Sequence, residues 1–431
     1  MRDVLIFFLV GICAAVALVH PWVGIMGWTV ISIMNPHRYA WVASTSPVAA
    51  AVAIATLLGL IVTRDRVRLI LAPSTLALVA FMIWICVTLP FSIHMELGLE
   101  LWSRALKIDL MILVALAVLH SRKHVMALAW ALVGSIGFYG SKGGIFTIVS
   151  RGDFHVWGPP GSYIEGNNEL GLALIMTIPL MRFLQLQLKS RWVKHALTLL
   201  MVLSATAAVG TQSRGALLAI VAMSVMVWWR GKSKLMVGAM TVLVAAALLA
   251  FMPEQWGARM STIADYQQDA SAMGRINAWW MAWNLAKDRF FGGGFAIYEP
   301  DVFTLYAPNP DDFRAAHSIY FQVLGEHGFV GLAVFLLIWV LVWRSAGWLR
   351  RNGAEQAESQ WAAHLGAMCQ ASLIAYAVGG AFLSLAYFDL PYNLLVLVVV
   401  ARRWVEDRGW ERDAVAPAVK YAQPMSSPTR P

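Results

Sequence analysis

Two arginines in short polar interruptions of an apolar chain are the first candidates for chemistry. Arg214 lies in the turn at residues 210–215 (GTQSRG), and Arg275 opens the stretch at residues 274–280 (GRINAWW). A guanidinium presents a fixed fork of donors that matches phosphate oxygens. We therefore predict that both arginines bind an anionic group, with Gln212 as a further contact. The alternatives are that Arg214 reaches to the membrane surface and that Arg275 is a solvated residue at a helix start.

A histidine and a serine stand at the entrance of a strongly apolar run. His317 could act as a general base, because imidazole titrates near neutral pH; the alternative is a polar anchor for the helix. Ser318, Gln322 and Gly325 fall on a related helical face, which would let another backbone or a lipid chain approach. We take Ser318 as a candidate substrate contact.

Two asparagines begin another apolar run. Asn167 and Asn168 either hydrogen-bond a sugar or phosphate or cap the helix that follows, and the sequence favours neither. The glycine triplet at residues 292–294 is a weaker candidate for a substrate role and is expected to end a helix.

We predict no metal and no cofactor. No carboxylate pair can be placed at an outer helix end, and Asp311-Asp312 lies in a Pro-rich loop typical of a solvated turn. Two arginines can meet the charge of a phosphate without metal, so a metal-dependent mechanism is the minority interpretation. Cys13, Cys86 and Cys369 fall in apolar runs and indicate neither a disulfide framework nor a metal site.

The elements that position these residues are membrane helices. Of 431 residues, 59% are hydrophobic and 13% charged, whereas soluble domains have roughly 45–50% and about 25%. The long Leu/Val/Ala runs exclude a soluble globule and an outer-membrane barrel. A span needs ~20 apolar residues, so the composition predicts an all-α polytopic membrane protein with about twelve spans, near residues 4–34, 46–62, 72–90, 105–120, 124–138, 167–183, 194–210, 215–229, 235–252, 317–343, 363–388 and 391–401.

Loop charges predict the orientation. Lys and Arg concentrate in one set of short loops, at residues 64–68, 122–123, 182–194, 230–234 and 344–351. These loops are expected to face the cytoplasm, which also explains the net charge of +9 without a nucleic-acid partner. The candidate residues then face the outer side. The first apolar segment is interrupted at His20-Pro21 and crosses either once, as a kinked span, or twice, as a tight helical pair.

Four regions follow from this pattern. Residues 1–252 form the N-terminal membrane helices, and residues 253–316 form one large outer loop with a helical pattern around Ala278 to Ala286. Residues 317–406 form the C-terminal membrane helices. The Pro-rich tail at residues 407–431 is expected to be a disordered cytoplasmic tail.

The order of these motifs resembles a known family. One segment resembles the ligase motif of the O-antigen ligase and polymerase family of bacterial envelope glycosyltransferases. It consists of His317-Ser318, nine further residues and then Gly328-x-x-Gly331. The turn at 211–215 and the stretch at 274–279 occupy the family's other motif positions. Residues 35–38 and 157–161 look like a subgroup labelled as O-glycosylation ligases. One departure is the segment 288–294 (DRFFGGG), which lacks the Pro that commonly precedes the glycines.

The resemblance implies a GT-C-like fold and a periplasmic active site in the bacterial inner membrane. It implies an O-antigen ligase that moves a glycan from undecaprenyl pyrophosphate to a lipid A core sugar, with Arg214 and Arg275 on the pyrophosphate and His317 assisting the acceptor. Such a transfer would be metal-independent and inverting. The alternatives are a protein O-oligosaccharyltransferase, an O-antigen polymerase with the same donor, and a non-enzymatic flippase of lipid-linked glycan. A flippase should place charges along a membrane-crossing path, whereas the candidates here gather on one side.

Overall fold

The computed structural model describes residues 1–65, 67–230 and 270–411. Regular structure within these residues is helical, without a strand. The helices are α1 (Arg2–Val19), α2 (Pro21–Met34), α3 (Val48–Val62), α4 (Pro73–Thr88), α5 (Met95–Val118), α6 (Arg122–Val149), α7 (Asn167–Gln187), α8 (Arg191–Gly210), α9 (Arg214–Arg230), α10 (Ala270–Asp288), α11 (Pro300–Tyr306), α12 (Ile319–Asn352), α13 (Gln360–Gly380) and α14 (Asp389–Glu406). The predicted span at 235–252, the first part of the predicted loop and the tail beyond 411 lie outside the described residues.

Seven of the described helices are long and apolar enough to cross a membrane: α1, α4, α6, α7, α8, α12 and α13. Two further apolar helices, α2 and α3, are shorter. The predicted class, a polytopic helical membrane protein, is therefore confirmed. The number of twelve spans and the loop orientation stay predictions.

The first apolar segment is a pair of helices. Its break lies at His20, and Pro21 begins α2. Proline is favourable at the first position of a helix, because the N–H that it lacks would have no acceptor within the helix. Asp3 at the start of α1 accepts hydrogen bonds from the backbone N–H groups of Val42 (2.8 Å) and Ala43 (2.9 Å), which follow α2. Since the start of α1 lies beside the residues that follow the end of α2, the two helices run antiparallel. Of the two predicted alternatives, the structure has the tight helical pair.

Helix α6 corrects a predicted boundary. The sequence predicted a span at 124–138, because glycines interrupt the apolar run after it, but the helix continues to Val149. These glycines lie against α8: a Cβ on Gly140 would come within 2.1 Å of Ser204 Oγ, and one on Gly144 within 2.3 Å of the Leu203 carbonyl oxygen. Small residues let membrane helices approach closely, so here glycine indicates packing and not the end of a helix.

The centre of the bundle is formed by α7, α13 and α14. Every residue of α14 from Asp389 to Ala401 is buried, and α7 is buried along most of its length. Such helices are hydrophobic on all sides because they contact other helices around their whole circumference. Helix α9 packs against α7 and α13 of this centre, and the N-terminal ends of α7 and α9 both carry predicted site residues.

Candidate functional site

A cleft of about 250 Å³ brings together four of the residues that the sequence singled out. Its walls include Asn168, Gln212, Arg214 and Arg275, together with Gly215, Ser271, Ala272 and Phe382. Arg214 is the first residue of α9, and Arg275 lies in the second turn of α10. The two arginines therefore face one space although a long stretch of chain separates them. A cleft with two guanidinium groups can bind an anion with two phosphate groups.

The N-terminal end of α9 adds to this positive potential. Ser213 precedes the helix, and its hydroxyl oxygen accepts a hydrogen bond from Ala216 N at 3.2 Å. The unsatisfied N–H groups of a first helical turn carry partial positive charge and favour anions. Because Arg214 and Gly215 of this same turn line the cleft, the helix end and the two guanidinium groups act on the same space.

The turn that carries Arg214 is held from three sides. Asn167 Nδ2 donates to the carbonyl oxygen of Thr211 (2.8 Å), Gln212 Nε2 donates to that of Gly152 (2.9 Å), and Val156 N donates to that of Gly210 (3.2 Å). Gln212 itself has a left-handed backbone, with φ of 53°, which is uncommon for residues other than glycine. The amide of Asn167 thus fixes this turn and does not cap α7, whereas Asn168 lines the cleft.

Helix α10 is fastened to the loop that follows α11. Asn277 Nδ2 donates to the carbonyl oxygens of Asn309 (2.8 Å) and Asp312 (3.0 Å), and Asn277 Oδ1 accepts from Asn309 N (2.9 Å). The side chain of Asp312 pairs with Arg314 at 2.5 Å. The helix predicted around Ala278 to Ala286 is confirmed as part of α10, and its anchoring fixes the position of Arg275.

His317 lies beside the cleft and not in its wall. Its Nδ1 is buried, has no hydrogen-bond partner among the residues that the structure describes and lies 4.0 Å from Glu169 Oε1, while 36% of the side chain remains exposed. Burial lowers the pKa of His317 to about 4, and the positive charge of Arg275 acts in the same direction. The imidazole is therefore neutral at pH 7, the form that can accept a proton. Ser318, at 1% exposure, precedes α12 and does not line the cleft.

Glu169 is the site residue that sequence reasoning missed. It lies in the first turn of α7, 17% of its side chain is exposed, and it interacts electrostatically with Arg275. An acidic residue in a first helical turn is common because it complements the helix dipole, so its position carried no special signal. The Glu169 carboxyl is a polar neighbour of the His317 ring at 4.0 Å.

The glycine triplet supports a break in α12. Gly328 has φ of 68° and interrupts the helix, which leaves carbonyl oxygens of the preceding turn without their usual partners. Gly293 N and Gly294 N donate to the carbonyl oxygens of Gly325 (2.9 Å) and Glu326 (2.8 Å), and Trp84 Nε1 donates to that of His327 (2.9 Å). The two glycine motifs therefore fix the segment that begins at His317 and do not line the cleft.

Replacing Gly328 with alanine is expected to destabilise the protein. A Cβ there would lie 2.3 Å from the Phe290 carbonyl oxygen, on a backbone with positive φ. Overpacking of this kind costs ~1–3 kcal/mol, so Gly328→Ala should lower the thermal unfolding midpoint in detergent. Gly134→Ala on α6 is the control, because a Cβ at Gly134 meets no atom of the described residues within 4 Å. Equal midpoints for the two variants would contradict a structural role for the break.

The described residues contain no group of three or more His, Cys, Asp or Glu side chains that could hold a metal ion. The expectation of a metal-free reaction stays a prediction. A phosphate substrate can bring a bound metal ion with it, so the test is an activity measurement with and without divalent cations.

Comparisons with known families assign part of the chain. Residues 199–336 match the family model described as O-antigen ligase, and residues 1–185 match the model of a family of unknown function. No curated protein matches the chain. The first match spans Arg214, Arg275 and His317, whereas Asn168 of the cleft wall lies in the second match.

Proposed function

We propose that this chain transfers a glycan from undecaprenyl pyrophosphate to a lipid A core sugar, a proposal supported by the match of residues 199–336 to the family model described as O-antigen ligase. The observation that carries this proposal is the convergence of Arg214 and Arg275 on one cleft at the N-terminal end of α9. A lipid-linked pyrophosphate is a leaving group whose two phosphates match two guanidinium forks.

The reaction is a direct displacement at the anomeric carbon. The acceptor hydroxyl oxygen forms the new bond to this carbon while the bond to the pyrophosphate oxygen breaks, and the electron pair leaves with the lipid diphosphate. Fixed positive groups stabilise the charge that develops on this oxygen, which is the role of Arg214, Arg275 and the first turn of α9. The acceptor proton passes to the neutral imidazole of His317, and attack opposite to the leaving group inverts the anomeric configuration.

The cleft belongs on the periplasmic side of the inner membrane. The opposite end of the bundle carries the arginine- and lysine-rich loops, including Arg64, Arg122 and Arg350, and such loops remain in the cytoplasm. Both substrates are lipids, so a cleft at the end of a helix bundle lets their headgroups meet while their chains stay in the bilayer.

The test is a transfer assay with purified protein in lipid vesicles, a synthetic lipid-linked glycan and three acceptors offered separately: lipid A core, a candidate protein and the donor glycan itself. We expect glycosylated lipid A core, with activity nearly unchanged by EDTA, because the arginines meet the charge of the leaving group.

Other products would replace this proposal. A glycosylated protein would indicate a protein O-oligosaccharyltransferase, an elongated donor would indicate a polymerase, and donor moved across the membrane without transfer would indicate a flippase. Activity lost with EDTA and restored by a divalent cation would contradict the metal-free mechanism and direct attention to Asp311, Asp312 and Glu165.

A further inference from the structure

A second cavity, of about 220 Å³, opens at the end of the bundle opposite to Arg214. It lies between the extended residues 68–72, the last turns of α14 and Ser345 of α12, and we call it the α14 pocket. Residues 68–72 are held in place by Arg68 N, which donates to the Ala117 carbonyl oxygen (2.8 Å) at the end of α5. Because α5 and α14 both end beside it, the pocket lies at the level where membrane helices reach lipid headgroups.

The α14 pocket has two kinds of wall. Residues 69–73 (LILAP) and 399–400 (VV) form an apolar wall, and Arg68 with residues 402–403 and 406–407 forms a charged wall. A small soluble anion would leave the apolar wall in contact with water, and a hydrocarbon chain would leave the charged wall without a partner. The combination fits an amphiphile that has a charged headgroup and an acyl chain.

Charges of both signs stand in fixed positions on the charged wall. Arg402 Nε donates to Glu406 Oε1 at 2.8 Å and its Nη1 donates to Ser345 Oγ at 3.1 Å, while the guanidinium lies 5.0 Å from the Trp348 ring centroid. These contacts hold the Arg402 guanidinium in one orientation, and among the described residues its Nη2 has no acceptor and can donate to a phosphate oxygen. Arg403 pairs with Asp407 in the same way, at 3.1 Å.

Arg68 supplies a further cation on the other side of the opening. It is exposed, and its side chain makes no hydrogen bond or ion pair with the residues that the structure describes. The wall therefore carries three guanidinium groups and two carboxylates, with Glu406 paired to Arg402 and Asp407 paired to Arg403. An anionic headgroup would bring negative charge against these carboxylates, whereas a zwitterion can place one charge against each sign.

We propose that the α14 pocket binds a phospholipid with a zwitterionic amino headgroup. Arg68 and Arg402 hold its phosphate, Glu406 accepts a hydrogen bond from its ammonium group, and an acyl chain lies along residues 69–73 and 399–400. Trp348, against Arg402, is the amphipathic ring expected at this level of a membrane. This lipid site lies at the other end of the bundle from the transfer site and is independent of the donor and acceptor.

Native mass spectrometry of the full chain in detergent tests the proposal. The protein is titrated with phosphatidylethanolamine and with phosphatidylglycerol of the same acyl chains. We expect the wild type to prefer phosphatidylethanolamine and Arg68→Ala to bind it about tenfold more weakly, because a charge-assisted hydrogen bond is lost. Arg64→Ala is the matched control, since Arg64 is an exposed arginine of the same loop that does not line the pocket, and it should bind as the wild type does.

A third variant examines the carboxylates. Glu406→Gln removes one acceptor for the ammonium group and should reduce the preference for phosphatidylethanolamine over phosphatidylglycerol. Equal binding to Arg68→Ala and Arg64→Ala would overturn the site, and phosphatidylglycerol bound as tightly as phosphatidylethanolamine would overturn the zwitterionic ligand. Displacement by soluble glycerophosphoethanolamine at the same concentration as the lipid would contradict a role for the apolar wall.

Discussion

Arg275→Lys and Arg214→Lys are each expected to lose most of the transfer activity although the positive charge is kept. Lysine carries a point charge on a flexible stem and cannot reproduce the two parallel N–H donors of a guanidinium. A lost hydrogen bond to a charged group costs ~1.5–3 kcal/mol, which corresponds to a rate reduction of roughly ten- to a hundredfold. The measurement is product formation from lipid-linked glycan at saturating acceptor, with both kcat and KM for the donor.

The kinetic parameter that falls distinguishes binding from catalysis. If the arginines stabilise the departing pyrophosphate more than the bound donor, kcat falls with kcat/KM; if they only bind the donor, KM rises alone. Arg151→Lys is the control, because Arg151 is exposed and lies outside the cleft. Full activity of Arg275→Lys or Arg214→Lys at normal membrane levels would remove that residue from the donor site.

Local sequence signals were sufficient to predict the class of fold and to single out Arg214 and Arg275 as candidate site residues. A charged residue in an apolar membrane chain is costly unless it has a function or a partner, so Arg214 stood out from its neighbours. The break at His20 was readable because Pro21 cannot continue a helix hydrogen-bond pattern. The end of α6 was predicted incorrectly, because Gly140 and Gly144 pack against α8 within the helix. The sequence alone does not distinguish a glycine that packs between helices from a glycine that ends a helix.

The assembly of the site depended on tertiary contacts that no local pattern encodes. That Arg214 and Arg275 line one cleft follows from how α9 and α10 pack in three dimensions. Asn167 was expected to bind substrate or to cap α7, but its amide reaches the carbonyl oxygen of Thr211, a contact between separate segments. Glu169 was overlooked because its importance arises only from the approach of His317.

The backbone at His317 is a second feature without a sequence signal. Its φ is 43°, in the left-handed region that only a few per cent of non-glycine residues adopt. Such conformations cost ~1–3 kcal/mol and concentrate at functional sites. Here the conformation accompanies a ring whose Nδ1 faces the protein interior. The same region also occurs at Gln212 in the cleft wall and, away from it, at Asn35, Arg151, Ala296 and Arg408.

His317→Ala and His317→Asn are expected to reduce transfer by about 10²- to 10⁴-fold, the usual contribution of a general base. Asparagine tolerates the left-handed backbone but cannot accept the proton, so equal losses in the two variants would separate base catalysis from a disturbed fold. Donor binding, measured separately with lipid-linked glycan, should change little because both arginines remain. A loss below tenfold in His317→Asn would indicate that the ring only positions the acceptor.

The pH profile provides an independent test of the same residue. Because the pKa of His317 is lowered to about 4, its imidazole stays neutral and able to accept a proton from pH 8 down to pH 5. Protonation removes the base only as the pH falls through about 4, so kcat/KM of the wild type should be level over pH 5–8 and should fall below that range. An ordinary histidine would lose half of its activity near pH 6.5. A decline centred at that pH would contradict the buried, neutral imidazole, and a profile unchanged in His317→Asn would show that another group accepts the proton.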